Sequence, residues 1–255
     1  MKKQILTILV AGILTCIFEL PMFAQEIKMV EIPGKKIKMS KTEITQKQYE
    51  EVMGENPSYF QQSNTSLEDG KKQQLKDSSG HPVENISWYD AIVFCNKLSK
   101  KKGLKPVYSV NGTTDVSKWN YTPHQDEEIK GAITQDTTAN GFRLATLDEW
   151  LYAAKADQSY LYSGSNDINE VGWHRDNSKF ITHPVAQKKA NGYSLYDMSG
   201  NVKEWVWDSA DKDEHYICGG GFGDFDERCE IDSFRSNSTK NKFFGLGIRI
   251  VQSDK

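Results

Sequence analysis

Apolar and charged residues alternate through 27–32, and the run stops at Pro33-Gly34. That pattern reads as a half-buried strand followed by a turn. Three helix starts follow, each marked by a hydroxyl residue with Gln, Asp or Glu three positions on, the reciprocal capping arrangement. Thr45 with Gln48 opens a short helix closed by Gly54. Ser87 with Asp90 opens a longer one, on which Trp88, Ala91, Ile92, Cys95 and Leu98 share a face. Thr146 with Glu149 opens the third, which buries Leu147, Trp150, Leu151 and Ala154. The polar tracts at 61–80 and across most of 111–140 read as solvated loops. Beyond residue 155 helical periodicity gives way to short apolar runs, such as 193–196, 202–207 and 243–251, broken by Gly, Asn and Asp. The pattern predicts an α+β domain low in regular structure, with two or three helices on a small twisted antiparallel sheet. Loops this long need an anchor, either aromatics such as Trp173, Trp205 and Trp207 or a bound metal.

The amino end breaks the pattern. Lys2 and Lys3 precede an apolar run at 5–18, too short for a stable bilayer span but suited to a secretory signal. With Ala24 two positions after Met22, cleavage before Gln25 follows. The expected division is a signal peptide at 1–24 and one domain at 25–255, exported to the periplasm, the medium or the cell surface. A lipoprotein signal ending at Cys16 is the alternative, although Thr15 stands where a smaller residue is usual. No other stretch approaches a spanning length, so no transmembrane segment is expected in the mature chain.

Composition narrows the function classes. The 255 residues include 32 Lys+Arg against 35 Asp+Glu, with 37% hydrophobic and 11% aromatic residues. Such a chain can bury a core and is not intrinsically disordered. A formal charge of −3 excludes binding nucleic acid through bulk charge. The 4 cysteines are too few for a disulfide scaffold and lack paired C-x-x-C spacing.

Several motifs then come in a recognisable order. They are Thr42-Glu43-Ile44-Thr45, His81-Pro82-Val83 with Asn85-Ile86-Ser87-Trp88, and Gly141-Phe142-Arg143-Leu144-Ala145-Thr146 with Glu149-Trp150. After them stand Asn191-Gly192-Tyr193, Leu195-Tyr196-Asp197-Met198-Ser199-Gly200-Asn201-Val202 with Glu204-Trp205, Gly219-Gly220-Gly221-Phe222, and Leu246-Gly247-Ile248-Arg249. Together they resemble the formylglycine-generating enzyme family, also called the sulfatase-modifying factor domain, over about 29–251. The resemblance implies a variant of the C-type lectin fold. It also implies, for catalytic members, oxidation of a sulfatase cysteine with molecular oxygen and copper held by two cysteines. Non-catalytic members use the scaffold for other work, including ligand display on bacterial surfaces.

The catalytic pattern is broken here. Laid on Gly219-Gly220, the serine position is Gly221, the first cysteine position is Asp224 and the second is Cys229. Copper(I) prefers soft thiolates, and one sulfur facing a hard carboxylate does not clamp it. Copper and formylglycine formation are therefore not expected, and Cys229 matters catalytically only if the site is a remodelled oxidase. A Cys218–Cys229 disulfide is the plainer reading for an exported chain, and Cys95 reads as core. The 5 histidines show no spacing suited to the three-histidine iron site of the family's sulfoxide-forming members. The resemblance also implies one structural calcium in the turn at 197–204, with side-chain oxygens from Asp197 and Glu204 and backbone carbonyls from Gly200 and Val202.

Residues 222–244 mix five phenylalanines with short polar and charged side chains, the blend found in adaptable binding loops. Within them Phe225, Asp226, Arg228, Asn237 and Asn241 are the candidate ligand face. Phe222 and Phe234 are expected in the core, and Arg235 and Arg249 as structural ion-pair partners. The functional expectation is an exported lectin-like binding protein that presents these loops to a protein or glycan.

Overall fold

The computed structural model describes residues 26–61, 75 and 77–254. The expected signal segment at 1–24, including Cys16, lies outside the described residues. Strands β1 (Met29–Glu31) and β2 (Ile37–Ser40) form a hairpin, its first strand and the turn at Pro33-Gly34 as predicted. Helices α1 (Gln46–Met53) and α2 (Trp88–Lys101) follow, then strands β3 (Tyr108–Val110), β4 (Ile133–Gln135) and β5 (Phe142–Leu144). Next come α3 (Leu147–Lys155) and the one-turn helices α4 (Ile168–Val171) and α5 (Arg175–Ser178). The chain ends in strands β6 (Lys203–Asp211), β7 (Glu214–Cys218), β8 (Arg235–Ser238), β9 (Leu246–Ile248) and β10 (Ile250–Ser253).

All three long helices start where the capping pattern places them. Thr45, Ser87 and Thr146 each accept the backbone N–H three residues on, and Gln48, Asp90 and Glu149 reach back to the cap. Each such cap stabilises its helix by about 1 kcal/mol. Gly54 closes α1 in the left-handed region at φ 90°, where glycine has no Cβ to clash.

The strands make two four-stranded sheets rather than one. In the first, ordered β1-β2-β10-β5, the first and last strands of the domain come together. The second is ordered β8-β7-β6-β9 and is antiparallel except for the β6–β9 pair, and β3 with β4 forms a separate ribbon. The larger core lies under α1 and α2, where Trp88, Phe94, Trp205 and Ile248 pack. A second core holds α3 through Trp150 and Ala153, against Ile32, Met39 and Val206. The sequence-predicted core residue Cys95 is fully buried on the inner face of α2.

Candidate functional site

The start of β6 places two neighbours on opposite faces of the sheet, as strand geometry requires. Glu204 points inward and is 0% exposed, while Lys203 points to a cleft on the other side. That cleft has a volume of about 520 Å³. Its walls are largely aromatic: Tyr59 and Phe60 before α2, Phe180 after α5, Phe222 after the glycine run, and Phe243 and Phe244 before β9. Phe60 meets Phe222 edge-on at 5.0 Å between ring centroids, and Tyr59 lies 5.3 Å from Phe244. Tyr59 and Phe244 stay 39% and 54% exposed, so the lip is apolar and open.

The Tyr59-Phe60 wall hangs on buried polar groups from elsewhere. The Phe60 N–H donates to Glu84 Oε1 at 2.9 Å, Gln46 Nε2 donates to the Phe60 carbonyl at 2.9 Å, and Asn85 Nδ2 donates to the Pro57 carbonyl at 2.9 Å. Burial pushes the Glu84 carboxyl up to about 8, against the backbone N–H groups of Phe60 and Tyr59 that lower it.

At the floor of the cleft Lys203 forms an ion pair with Asp224, the residue at the first thiol position. A Cβ built on Gly221, the serine position, would lie 3.4 Å from the Lys203 ammonium. Cys229 stands behind, fully buried among Tyr162, Ile168 and Val171. Burial, then the Asp224 charge, pushes its thiol up to about 12. Gly220 makes that packing possible, for a Cβ there would lie 2.7 Å from Cys229 Sγ and 2.6 Å from the Arg228 carbonyl. The donor set therefore does not fit copper: one protonated, enclosed thiol, and a carboxylate already committed to an ammonium.

The expected Cys218–Cys229 disulfide is corrected, because both thiols are free and buried. Cys218 packs in the α3 core with Trp150 and Met39, whereas Cys229 belongs to the separate cluster under α4. The glycine run between them sends the two side chains into different apolar surroundings.

Glu204 occupies the centre of a buried charge network. Its Oε1 accepts from Arg249 Nε at 3.0 Å and Nη2 at 2.8 Å, and its Oε2 accepts from Arg249 Nε at 3.0 Å and Trp150 Nε1 at 2.6 Å. Arg249 also donates to the carbonyls of Ser40 and Tyr196. Glu43 accepts from Asn201 Nδ2 at 2.7 Å and from the Val202 N–H at 2.9 Å. Asp197 Oδ2 accepts from the Ala186 N–H at 2.7 Å, while its Oδ1 is buried without a partner among the described residues. Burial first, then the Asp197 and Glu204 charges, hold Glu43 well above the usual carboxylate range, and burial raises Asp197 to about 6.

That arrangement tests the calcium expectation. A carboxylate offers about four lone-pair sites, and Glu204 spends three of them at most on the Arg249 Nε–H, which its two oxygens share, the Arg249 Nη2 and the Trp150 indole. No group of three or more His, Cys, Asp or Glu side chains suited to a metal occurs among the described residues. The residues do not fit calcium held through Asp197, Gly200, Val202 and Glu204 together, and Arg249 supplies the counter-charge.

The candidate ligand face divides. Phe225 is 53% exposed under the Arg175 guanidinium, 4.5 Å from its ring centroid, and Arg175 also covers Phe180 of the cleft wall. Asp226 and Arg228 lie in a single 3-10 turn, Asp226–Arg228, and Arg228 lines a narrow groove with Lys203, Asp224 and Arg235. Asn237 and Asn241 sit apart, on and just after β8. There Asn237 Oδ1 accepts from Asn241 Nδ2 at 2.8 Å, and the pair steadies the turn. Phe222 is core as expected, but Phe234 is 38% exposed, packed edge-on against Tyr216. Arg249 is the predicted ion-pair partner, whereas Arg235 is exposed on the edge strand. Sequence reading missed Tyr59, Phe180 and Lys203. The one available signal was the Phe243-Phe244 doublet, noted only as part of the loop.

A family model described as sulfatase-modifying factor enzyme 1-like domain matches residues 22–254, so the chain belongs to that family. It is similar to the chaperone protein LppX of Paenibacillus barcinonensis, 39% identical over 67% of this chain and 61% of that one. It is also similar to the formylglycine-generating enzyme of Mycobacterium tuberculosis, 24% identical over 54% of this chain and 36% of that one. Among solved structures, Treponema denticola variable protein 1 superposes with a TM-score of 0.75 at 28% identity, covering 91% of this chain and 93% of that one. The chain thus spans less than two thirds of the length of these curated relatives, but nearly all of the Treponema structure.

Proposed function

We propose that this chain is an exported, non-catalytic binding protein whose aromatic cleft receives apolar side chains of a polypeptide ligand. The observation that carries this reading is the Lys203–Asp224 ion pair at the catalytic position, with Cys229 enclosed and protonated behind it. Thiolate chemistry needs an exposed, low-pKa sulfur in electropositive surroundings, and Cys229 has the opposite environment. An open aromatic lip over a single half-buried ion pair suits side-chain capture, since aromatic walls supply area and the pair supplies orientation. The relative named as a chaperone supports a binding role over an oxidase. Export rests on the amino-terminal pattern at 1–24. No helix among the described residues is long and apolar enough to cross a membrane.

Two measurements test the reading. Reduced protein with copper(I), oxygen and a Cys-x-Pro-x-Arg peptide should yield neither stoichiometric metal uptake nor aldehyde by mass spectrometry; turnover would establish an oxidase with a remodelled site instead. On an array of short peptides, sequences rich in Phe, Leu and Trp should be retained and then lost with Phe244→Asp. Retention indifferent to that substitution places binding elsewhere.

A further inference from the structure

At the far end of the second sheet from the cleft, a separate cavity of about 740 Å³ opens between the β6–β7 hairpin, the first turn of α2 and residues 128–131. Bulges in the β6–β7 pairing bend the hairpin there, where Ser209 faces His215. The cavity has a fixed aromatic frame. The His215 ring stacks on Trp88 at 3.8 Å and 12°, and Tyr108 stacks on Trp207 at 5.0 Å and 21°. Trp88 is locked by its indole N–H, which donates to the Val206 carbonyl at 3.0 Å. His215 Nδ1 lies 2.8 Å from the Trp207 carbonyl, so Nδ1 holds the proton and Nε2 is left as an acceptor. Burial lowers the affinity of the ring for a second proton.

The polar groups around this frame are mixed and nearly balanced in charge. Asp208 uses one oxygen on the Leu147 N–H at 2.6 Å, Glu128 is paired with Lys240 at 3.1 Å, and Asp213 and Lys212 are exposed at the rim. Strongly charged ligands gain nothing from such a balance, and an apolar side chain would strand the carboxylates. A molecule with an apolar face and a ring of groups that both donate and accept would satisfy the whole lining.

We propose that this cavity is a second binding site, for a neutral carbohydrate whose C–H face lies against the Trp207 and Tyr89 side. Its hydroxyl groups would donate to Asp208, Asp213 and His215 Nε2 and accept from Lys212. The site stands apart from the cleft: Lys203 and Asp208 are five residues apart on β6, roughly 16 Å at the rise of an extended strand. It therefore does not depend on the cleft being a polypeptide site.

The test uses the full chain on an array of neutral oligosaccharides of glucose, galactose, mannose and N-acetylglucosamine, with retained sugars titrated by calorimetry. At least one sugar should bind. The Asp208→Asn/Asp213→Asn pair and Trp207→Ala should each weaken it tenfold or more, and Phe244→Asp in the cleft should leave it unchanged. The double amide variant keeps side-chain shape and an oxygen for the Leu147 N–H, so it remains readable if Trp207→Ala fails to fold. An array with no binder overturns the proposal. So does a sugar whose affinity ignores the double variant, or one lost with Phe244→Asp.

Discussion

Lys203 and Glu204 are consecutive, oppositely charged, and each paired with an ion, yet they belong to different kinds of site. The Glu204–Arg249 side chains are each 1% exposed, with three N–H donors on the carboxylate and Arg249 also held by two carbonyls. The Lys203–Asp224 side chains are 20% and 17% exposed, under aromatic walls with room for a visitor. A fully buried pair fixes the fold and leaves nothing for a ligand. A pair with one side open to a cleft is stabilised less and remains available. On the cleft side the first thiol position thus holds a carboxylate paired with Lys203, while on the core side Glu204 is paired with Arg249, a residue of the motifs that carry the family resemblance.

Arg249 separates the two pairs most sharply. Replacing it with Met should cost about 3–5 kcal/mol of unfolding free energy in urea titration, because Glu204 is then left charged and buried without its partner. Lys203→Met should cost at most about 1 kcal/mol, as expected of a partly exposed pair. Equal losses would show that the two pairs are both structural.

Glu84 gives the second largest effect, and one that depends on pH. Its folded pKa, about 8, lies above the unfolded value near 4.5, so the folded state holds the extra proton. Its contribution is full below about pH 4.5 and is lost as pH rises through 8. His81, lowered to about 4 by burial and then by the His183 charge, acts in the other direction. Its contribution is complete above pH 6.5 and lost as pH falls toward 4, so above 6.5 the carboxyl acts without it. Stability should fall by roughly 2 kcal/mol between pH 6.5 and 8, at one proton per molecule. Glu84→Gln should flatten that slope. An unchanged slope would shift the burden to Glu43, whose pKa is also raised. Smaller still, Ser87→Ala should cost about 1 kcal/mol by removing the α2 cap, read by thermal melting, with the cleft unaffected.

What was legible in the sequence was local. The three caps depend on residues three positions apart, and each helix begins where Thr45, Ser87 and Thr146 place it. The sheets depend on distant partners: β10 pairs with β2, and β9 lies parallel to β6. Apart from the longer β6, these strands have three or four residues, too few to announce such pairings by periodicity. The cleft was hidden for the same reason, since Tyr59, Phe180 and Phe244 meet only through tertiary structure. The motifs located Asp224, Glu204 and Arg249 but not which residues they pair with. Arg249 stands 45 residues from Glu204, and no spacing rule links them. The disulfide expectation rested on export alone, and it failed because the turn at Gly219-Gly220, both at positive φ, sends the two thiols into separate apolar clusters.

On the core side, removing calcium should have no effect at all. Calcium needs oxygen lone pairs pointing at a common centre, and Glu204 directs its own at Arg249 and Trp150. A chelator should therefore leave the melting temperature unchanged, and millimolar calcium should not raise it, since a ligand stabilises only the state that binds it. Asp197 Oδ1 is the one opening in this expectation, being buried with no partner among the described residues. If the chelator does lower the melting temperature, Asp197→Asn should abolish the shift and Arg249→Met should enlarge it, for removing the guanidinium frees the Glu204 oxygens. A shift with those two responses would mean that Arg249 and a metal ion compete for one carboxylate, and that the core pair is exchangeable after all.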